Sequence, residues 1–447
     1  MDMPLPFWIV MPFMLLISSL CLGPTLSPRW WHQLEVPVLI SVTLLTILGF
    51  MLSWGTGLTI EHVQHVLSLE YIPFVVLIYT LYTVSTSLKI SLEGQASTAK
   101  NALFLLFGGI FASAIGTTGA SMLLIYPFLK WNHDHPYKTH LTIFFMLIVS
   151  NIGGSLTPLG DPPLFIGFLH GVPFQWPLLN LFPKFIFTMT YLLLIFIVCD
   201  IFFKRFQKVT RQNIKRTFVL LKTKREPSDT PCTVPFKIQI EGKTQIILIP
   251  LIIMVLIFCS GTSTPLFLRE GLLLLIAATS HIIDRQYHGF LSKKGHWLPV
   301  LEVCRVFLAI FICVSPISLM LQQGANGPFV DLLEIANAGG TPNNHLYYWI
   351  TGMFSAFLDN APTYLIFFKM IGGSAQDIIQ NHNTTLQAIS VASIFFGAMT
   401  YIGNAPNFMV KSIAKQHDIE MPSFIGYIGW TCILLLPVVI LVQLIWF

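Results

Sequence analysis

"FSAFLDNAPTYLIFF", residues 354–368, sets an aspartate, an asparagine and a proline at the centre of an apolar run. Hydrocarbon penalises the charge of Asp359 by roughly 3 kcal/mol or more, and Pro362 breaks the backbone hydrogen bonding that lets a helix cross lipid. As one continuous span the stretch is poor. As two half-helices meeting at a turn it is sensible. Residues 346–358 make roughly 20 Å of helix, which passes the middle of a hydrocarbon core about 30 Å thick but does not cross it.

The surrounding chain asks for the same solvent. Of 447 residues, 54% are hydrophobic and only 10% are charged, where a soluble domain carries about a quarter charged residues. Apolar stretches of spanning length recur throughout, so the chain reads as an all-α polytopic membrane protein. The first stretch, 5–22, has no basic residue before it and no small-residue cleavage site, and is expected to be a span rather than a signal peptide.

Charge sets the orientation. Residues 203–243 hold eleven Lys or Arg against Glu226, Asp229 and Glu241. Between two spans, such a run reads as a cytoplasmic loop, touching anionic lipid rather than nucleic acid. Walking outward, spans are expected near 184–202, 139–169, 71–88, 36–54 and 5–22, then near 245–260, 268–284, 297–322, 385–410 and 424–446. The segments 102–129 and 346–371 fit as re-entrant hairpins, and 139–169 and 385–410 as interrupted helices. With both termini outside, the outer loops 55–70, 171–183, 323–345 and 372–384 contain no Lys or Arg. The expected fold is therefore about ten spans, two hairpins and two broken helices. The units are a first repeat 1–202, the basic loop 203–243, and a second repeat 244–447 of inverted topology.

Internal similarity supports the repeat. "TPLGDPPLF" (157–165) lies over "TYIGNAPNF" (400–408) with Thr, Gly, Pro and Phe in register, which sets Asp161 on Asn404. "SAIGTTGAS" (113–121) falls on "SAFLDNAPT" (355–363), so that Thr117 meets Asp359, Thr118 meets Asn360 and Ser121 meets Thr363. "LEYIPFVVLIY" (69–79) on "LEVCRVFLAIF" (301–311) is a weaker third pairing.

Each half thus carries two polar breaks at membrane depth. Non-helical backbone is tolerated there only where protein or a watery cavity covers it, and paired carriers build their ion sites from such breaks. Candidate site residues are Asp359, Asn360 and Thr363 at one tip and Thr117, Thr118 and Ser121 at the other. Asn151, Thr157, Asp161, Thr400, Asn404 and Asn407 complete the set in the broken helices. Asp359 and Asp161 are the candidate Na⁺ ligands, since ionised carboxylates are pure acceptors that a cation or proton can neutralise. "GDPP" around Asp161 also reads as a plain turn with a capping aspartate, and Asn151 and Asn404 could simply satisfy broken-helix backbone. Gly160, Gly403, Pro163 and Pro406 shape the breaks.

Other chemistry is sparse. The seven cysteines form no CxxC or Cys/His cluster and read as small core hydrophobes. "WNHDHPYKTH" (131–140) holds three histidines, but beside a span it reads as an interfacial loop rather than a metal site. No Ser/His/Asp set, metal box or nucleotide loop suggests an enzyme.

At these motifs the chain resembles the ion transporter superfamily, over roughly 70–440. That group contains NhaD-type sodium:proton antiporters, arsenite exporters, citrate–metal carriers and sodium–dicarboxylate carriers. "SAFLDNAPT" is similar to the antiporters' hairpin tip, and "TPLGDPPLF" with "YIGNAPNFMVK" to the paired broken-helix signatures. The nearest likeness is to a sodium:proton antiporter or citrate-transporter-like branch. The resemblance implies Asp359, Asn360 and Thr363 at one tip, Thr117 and Thr118 at the other, and Asp161, Asn404 and Asn407 in the broken helices. The Ser-Asn-Thr tips of the dicarboxylate carriers are missing at both hairpins.

The expected function is Na⁺/H⁺ antiport by alternating access, with coupled import of citrate or another small carboxylate as the alternative. Beyond the coupling ions Na⁺ and H⁺, no cofactor is expected. Partners are small inorganic cations, a small carboxylate in the alternative, the lipid bilayer and, in a homodimer, a second copy of the chain. A bacterial inner membrane is the expected location.

Overall fold

Helices dominate the structure, and their ends fall where the sequence withdraws backbone donors or supplies caps. The computed structural model describes residues 5–26, 28–135, 137–219, 237–259, 267–288, 298–323, 327–337 and 341–447. A 3₁₀ turn, Phe7–Val10, leads into α1 (Met11–Leu26), α2 (Pro28–Trp54), α3 (Thr56–Val66) and α4 (Ile72–Thr86). Next come α5 (Thr98–Ile115), α6 (Thr117–Trp131), α7 (Thr139–Ile148), α8 (Pro162–Leu169) and α9 (Trp176–Val219). The second half opens with α10 (Lys243–Ile246), α11 (Leu248–Phe258), α12 (Leu268–His288), α13 (Leu298–Gln322) and α14 (Val330–Ala336). It continues with α15 (Asn344–Phe357), α16 (Asn360–Ile371), α17 (Ala375–Asn381) and α18 (Asn383–Phe396). The chain closes with α19 (Ala405–Gln416), α20 (Phe424–Leu434) and α21 (Leu436–Trp446).

Among the described residues, six helical stretches are long and apolar enough to cross a membrane: 33–54, 56–86, 98–115, 139–156, 176–205 and 300–322. The pair α20–α21, bent by 44°, makes a seventh if it counts as one span. Large apolar side chains lie bare on the outside, among them Leu179, Phe258, Ile425 and Ile433. Water would not tolerate such a belt on a monomer.

Two expectations need correction. The outer loop expected at 55–70 is helical: α3 runs through a π-helical segment, Leu67–Tyr71, into α4 as one stretch of 31 residues. The wider π turn sits just before Pro73, whose ring and missing N–H an α-helical turn would not accommodate. The basic run is not a plain loop either. Its first part continues α9 to Val219, since 203–219 contains neither Gly nor Pro to stop it. Its end forms a strand, β2 (Lys237–Glu241), paired antiparallel with β1 (Lys89–Glu93). Lys89 faces Glu241 and Glu93 faces Lys237, so opposite charges fix the register at both ends. The remainder of the basic run, 220–236 with Cys232, lies outside the described residues.

The helices form two packed groups that meet where α13 packs on α16 and α4 on α6. One contains α1–α4 and α11–α13. The other contains the doubled-back pairs α5–α6 and α15–α16 with α7, α8, α18 and α19. The contacts survive an exchange of halves: α4 packs on α12 as α2 packs on α13, and α6 packs on α19 as α16 packs on α8. Individual bonds recur too. The Thr157 hydroxyl donates to the Ser113 carbonyl at 2.5 Å, and at the matching place in the second half Thr400 donates to the Ala356 carbonyl at 2.5 Å.

Candidate functional site

Four helices begin within one hydrogen bond of a single carboxylate. Asp161 occupies the N-cap position of α8, where an aspartate would normally accept from the N–H groups of the first turn. Pro162 and Pro163 have no N–H to give, and the Leu164 amide bonds the Asp161 carbonyl instead. The carboxylate is thereby released from capping and buried, at 1% exposure. The hydroxyl of Thr117, first residue of α6, donates to its Oδ1 at 2.7 Å. The amide of Asn360, first residue of α16, donates to Oδ2. Asn404, the N-cap of α19, reaches Oδ1 at 3.4 Å. No Lys, Arg or His side chain bonds to Asp161 among the described residues.

The two aspartates therefore divide their work in a way the sequence does not suggest. Asp359 caps α16 by accepting from the Ala361 amide at 3.2 Å, because here the first donor position is not a proline. It lines the cavity beside the site but makes no bond to Asp161. Thr363 donates back to the Asp359 carbonyl at 3.1 Å. Asn360 carries the more telling atom: its Oδ1 is buried with no hydrogen-bond partner. A buried polar oxygen left unpaired costs about 1–3 kcal/mol, unless a cation or other ligand supplies what the protein does not.

The asparagines of the broken helices clasp the two halves. Asn151 donates to the Met146 carbonyl (2.8 Å) and to Asn407 Oδ1 (2.7 Å). Asn404 donates to the Ser150 carbonyl (3.2 Å) and to Asn151 Oδ1 (3.1 Å). Asn407 donates to the carbonyls of Gly397 (2.9 Å) and Thr400 (3.0 Å). These amides satisfy carbonyls that the breaks would orphan, so Asn151 and Asn407 stand behind the site rather than in it. Ser121 pairs with Ser150 at 2.7 Å, again behind the tip. Thr118 faces the cavity.

Thr157 and Thr400 tie each break to its hairpin arm through the bonds above, and Thr400 also accepts from the Ile402 and Gly403 amides at 3.2 and 3.0 Å. We expect Thr400→Val to cost about 1–3 kcal/mol, because the buried Ala356 carbonyl loses its donor. Thermal unfolding in detergent measures it, and an unchanged midpoint would show that the bond carries nothing. The structure adds two residues that sequence reasoning did not single out. Ser113 donates to the Gly153 carbonyl and Ser355 to the Ser393 carbonyl (2.5 Å). Their signal was present: both open the aligned "SAIGTTGAS" and "SAFLDNAPT".

In front of the carboxylate lies a cavity of about 80 Å³. Thr117, Asp161, Asp359 and Asn404 form its polar end, and Phe74 of α4 and Phe307 of α13, with rings 4.3 Å apart, stand on its apolar wall. No basic residue lines it among the described residues. Its volume suits an ion with a few waters, below the range of pockets that enclose a drug-sized ligand. The electrostatics are two-sided: two carboxylates attract cations, while four converging helix N-termini carry partial positive charge that favours an anion.

Comparison with protein families matches residues 2–447 to the family described as "Putative citrate transport". The chain belongs to that family, in agreement with the citrate-transporter-like resemblance of its motifs. It is an integral membrane protein and a citrate-transporter-like secondary transporter. No curated protein matches the chain.

Proposed function

We propose that this member of the citrate-transport family is a cation-coupled secondary carrier in which Asp161 binds the coupling ion, and that the exchange is Na⁺ against H⁺. In this reading the chain crosses about ten times as two inverted repeats. The α5–α6 and α15–α16 hairpins then enter from opposite faces, and the basic run lies in the cytoplasm of a bacterial inner membrane. One observation carries the reading: a buried carboxylate, held only by neutral donors, sits beside the unpaired Oδ1 of Asn360. A sodium ion between them would satisfy both oxygens. A proton on Asp161 would neutralise the carboxylate alone, and competition of the two ions for one group is sufficient to couple antiport.

The second reading is coupled transport of citrate or another small carboxylate, favoured by the family's description and by the four helix N-termini at the site. With Asp161 and Asp359 on the lining and no basic side chain opposite, such an anion would have to enter with cations or after protonation.

Purified protein in liposomes separates the two. A sodium pulse should drive protons out of acid-loaded vesicles, with saturation. If sodium moves no protons while labelled citrate accumulates, the carboxylate reading replaces the antiport one. If neither moves, both are wrong.

A further inference from the structure

Away from the candidate site, four chain segments meet at a second buried carboxylate, Asp200 on α9. Its two oxygens are used differently. Oδ2 accepts from the hydroxyl of Thr98, the first residue of α5, and from the ammonium of Lys204 at 2.7 Å. Oδ1 faces two imidazoles: Nε2 of His135 at 2.8 Å and Nε2 of His140 at 3.1 Å. His135 sits in the connection after α6 and His140 in the first turn of α7. Their side chains are 4% and 1% exposed, and the three candidate ligand atoms lie within 4.8 Å of one another.

Packing alone does not explain this arrangement. Nε2 of His135 is buried and outside hydrogen-bond geometry although Asp200 Oδ1 lies 2.8 Å away. Nδ1 of His140 is also buried and unpaired. His140 Nε2 does share a hydrogen bond with Asp200 Oδ1, but a hydrogen-bonded corner that leaves one nitrogen of each imidazole buried and unpaired is costly. Around a metal ion the same residues are well placed. Ligands at about 2.0–2.1 Å from a tetrahedral zinc are about 3.3 Å from one another, close to the 2.8 and 3.1 Å separating the carboxylate oxygen from the two nitrogens. Thr98 already holds the far oxygen, as an outer-shell partner that orients a ligating carboxylate does.

We propose that His135, His140 and Asp200 form a binding site for a divalent transition metal ion of the zinc type. Two imidazoles and one carboxylate select such ions over Mg²⁺ or Ca²⁺, which prefer all-oxygen cages. A cavity of about 630 Å³, lined by Gln95, Asn132, His133, Asp134, His135 and Lys204, adjoins the cluster and gives solvent access for ion entry and for a water as fourth ligand. The amide of Tyr137 approaches Nδ1 of His135 at 3.3 Å, so His135 must change tautomer or turn its ring to ligate. Lys204 is the cluster's intrinsic competitor: its ammonium neutralises Asp200 when no metal is bound, and its side chain is 34% exposed, free to swing into solvent. An occupied site would pin α5, the connection after α6, α7 and α9 together at the base of the first hairpin.

The test uses the full chain, purified and stripped with chelator, then titrated with Co²⁺. The expected result is one equivalent per chain with visible d–d bands, which Zn²⁺ abolishes. The His135→Ala/His140→Ala protein should bind more weakly by over about 100-fold, beyond what outer-shell changes cost. Lys204→Met should bind more tightly than wild type, the reverse of what losing a merely structural ion pair would produce. Absence of the bands, or bands unchanged in the double variant, would overturn the site. Should the double variant fail to fold, zinc-edge X-ray absorption of the loaded wild type decides it: two imidazole ligands support the proposal, one or none refutes it.

Discussion

Asp161→Asn is expected to abolish coupled transport, lowering the rate by about 100-fold while leaving the protein folded. Asparagine keeps the volume and the extended N-cap backbone of Asp161 (φ −149°, ψ 145°), so the start of α8 survives. The negative charge is lost, and with it the charge-assisted contact to the coupling ion, worth about 1.5–3 kcal/mol. A barrier change of about 1.4 kcal/mol is tenfold in rate, so the upper end of that range gives the effect stated. Asp359→Asn is the informative comparison. Asparagine caps a helix as well as aspartate does, so a protein in which Asp359 serves chiefly as the cap of α16 should lose no more than about threefold in rate. Proteoliposome exchange measures both. The two roles would have to be exchanged if Asp359→Asn were dead and Asp161→Asn active.

Gly160→Ala should prevent stable folding. A Cβ at Gly160 would press into the carbonyl oxygen, carbonyl carbon and Cα of Gly154, the other limb of the same break. Backbone cannot rotate aside as a side chain can, so the cost is expected to be about 3 kcal/mol or more. A Cβ at Gly403 would lie 2.8 Å from the carbonyl oxygens of Gly397, on the other limb of its break, and of Ser355 on α15, a less severe clash, so Gly403→Ala should be the milder of the two. Gly271, in α12, has open space around its missing Cβ. There alanine should be neutral or stabilising by up to about 1 kcal/mol, through helix propensity alone. Detergent melting midpoints and membrane yields rank the three variants. If Gly160→Ala melts with the wild type, the two limbs are not packed as described.

Much of this architecture is legible along the chain. The turn after Phe357 follows from an aspartate and a proline in an apolar run. The break around Asp161 follows from "GDPP", and its kinship with "GNAP" follows from the alignment of the two halves, which the Thr157 and Thr400 bonds repeat in space. Other elements were not legible. The helix over 56–66 was hidden by its polar residues, which made 55–70 read as an outer loop. The strand pair β1–β2 joins segments from different halves of the chain, beyond the reach of any local pattern.

By itself the sequence determined the solvent, the helical class, the positions of the four breaks and the short list of polar residues at them. These follow from local physics: hydrophobic runs must cross or line a bilayer, and proline, glycine and buried polar groups must interrupt them. Which partners each residue in the list meets was decided only by the tertiary structure. Asp161 and Asp359 both stand one residue before a helix. Only the fold shows one carboxylate capping its own backbone while the other, facing two prolines, turns to Thr117, Asn360 and Asn404 from three other helices. His135 and His140 illustrate the same limit: the stretch "WNHDHPYKTH" that holds them reads as an interfacial loop, because their partner Asp200 comes from α9 and no spacing within the stretch reveals it. A side chain's role depends on which partners come within about 3 Å of it, and that distance is set by packing between elements, not by order along the chain.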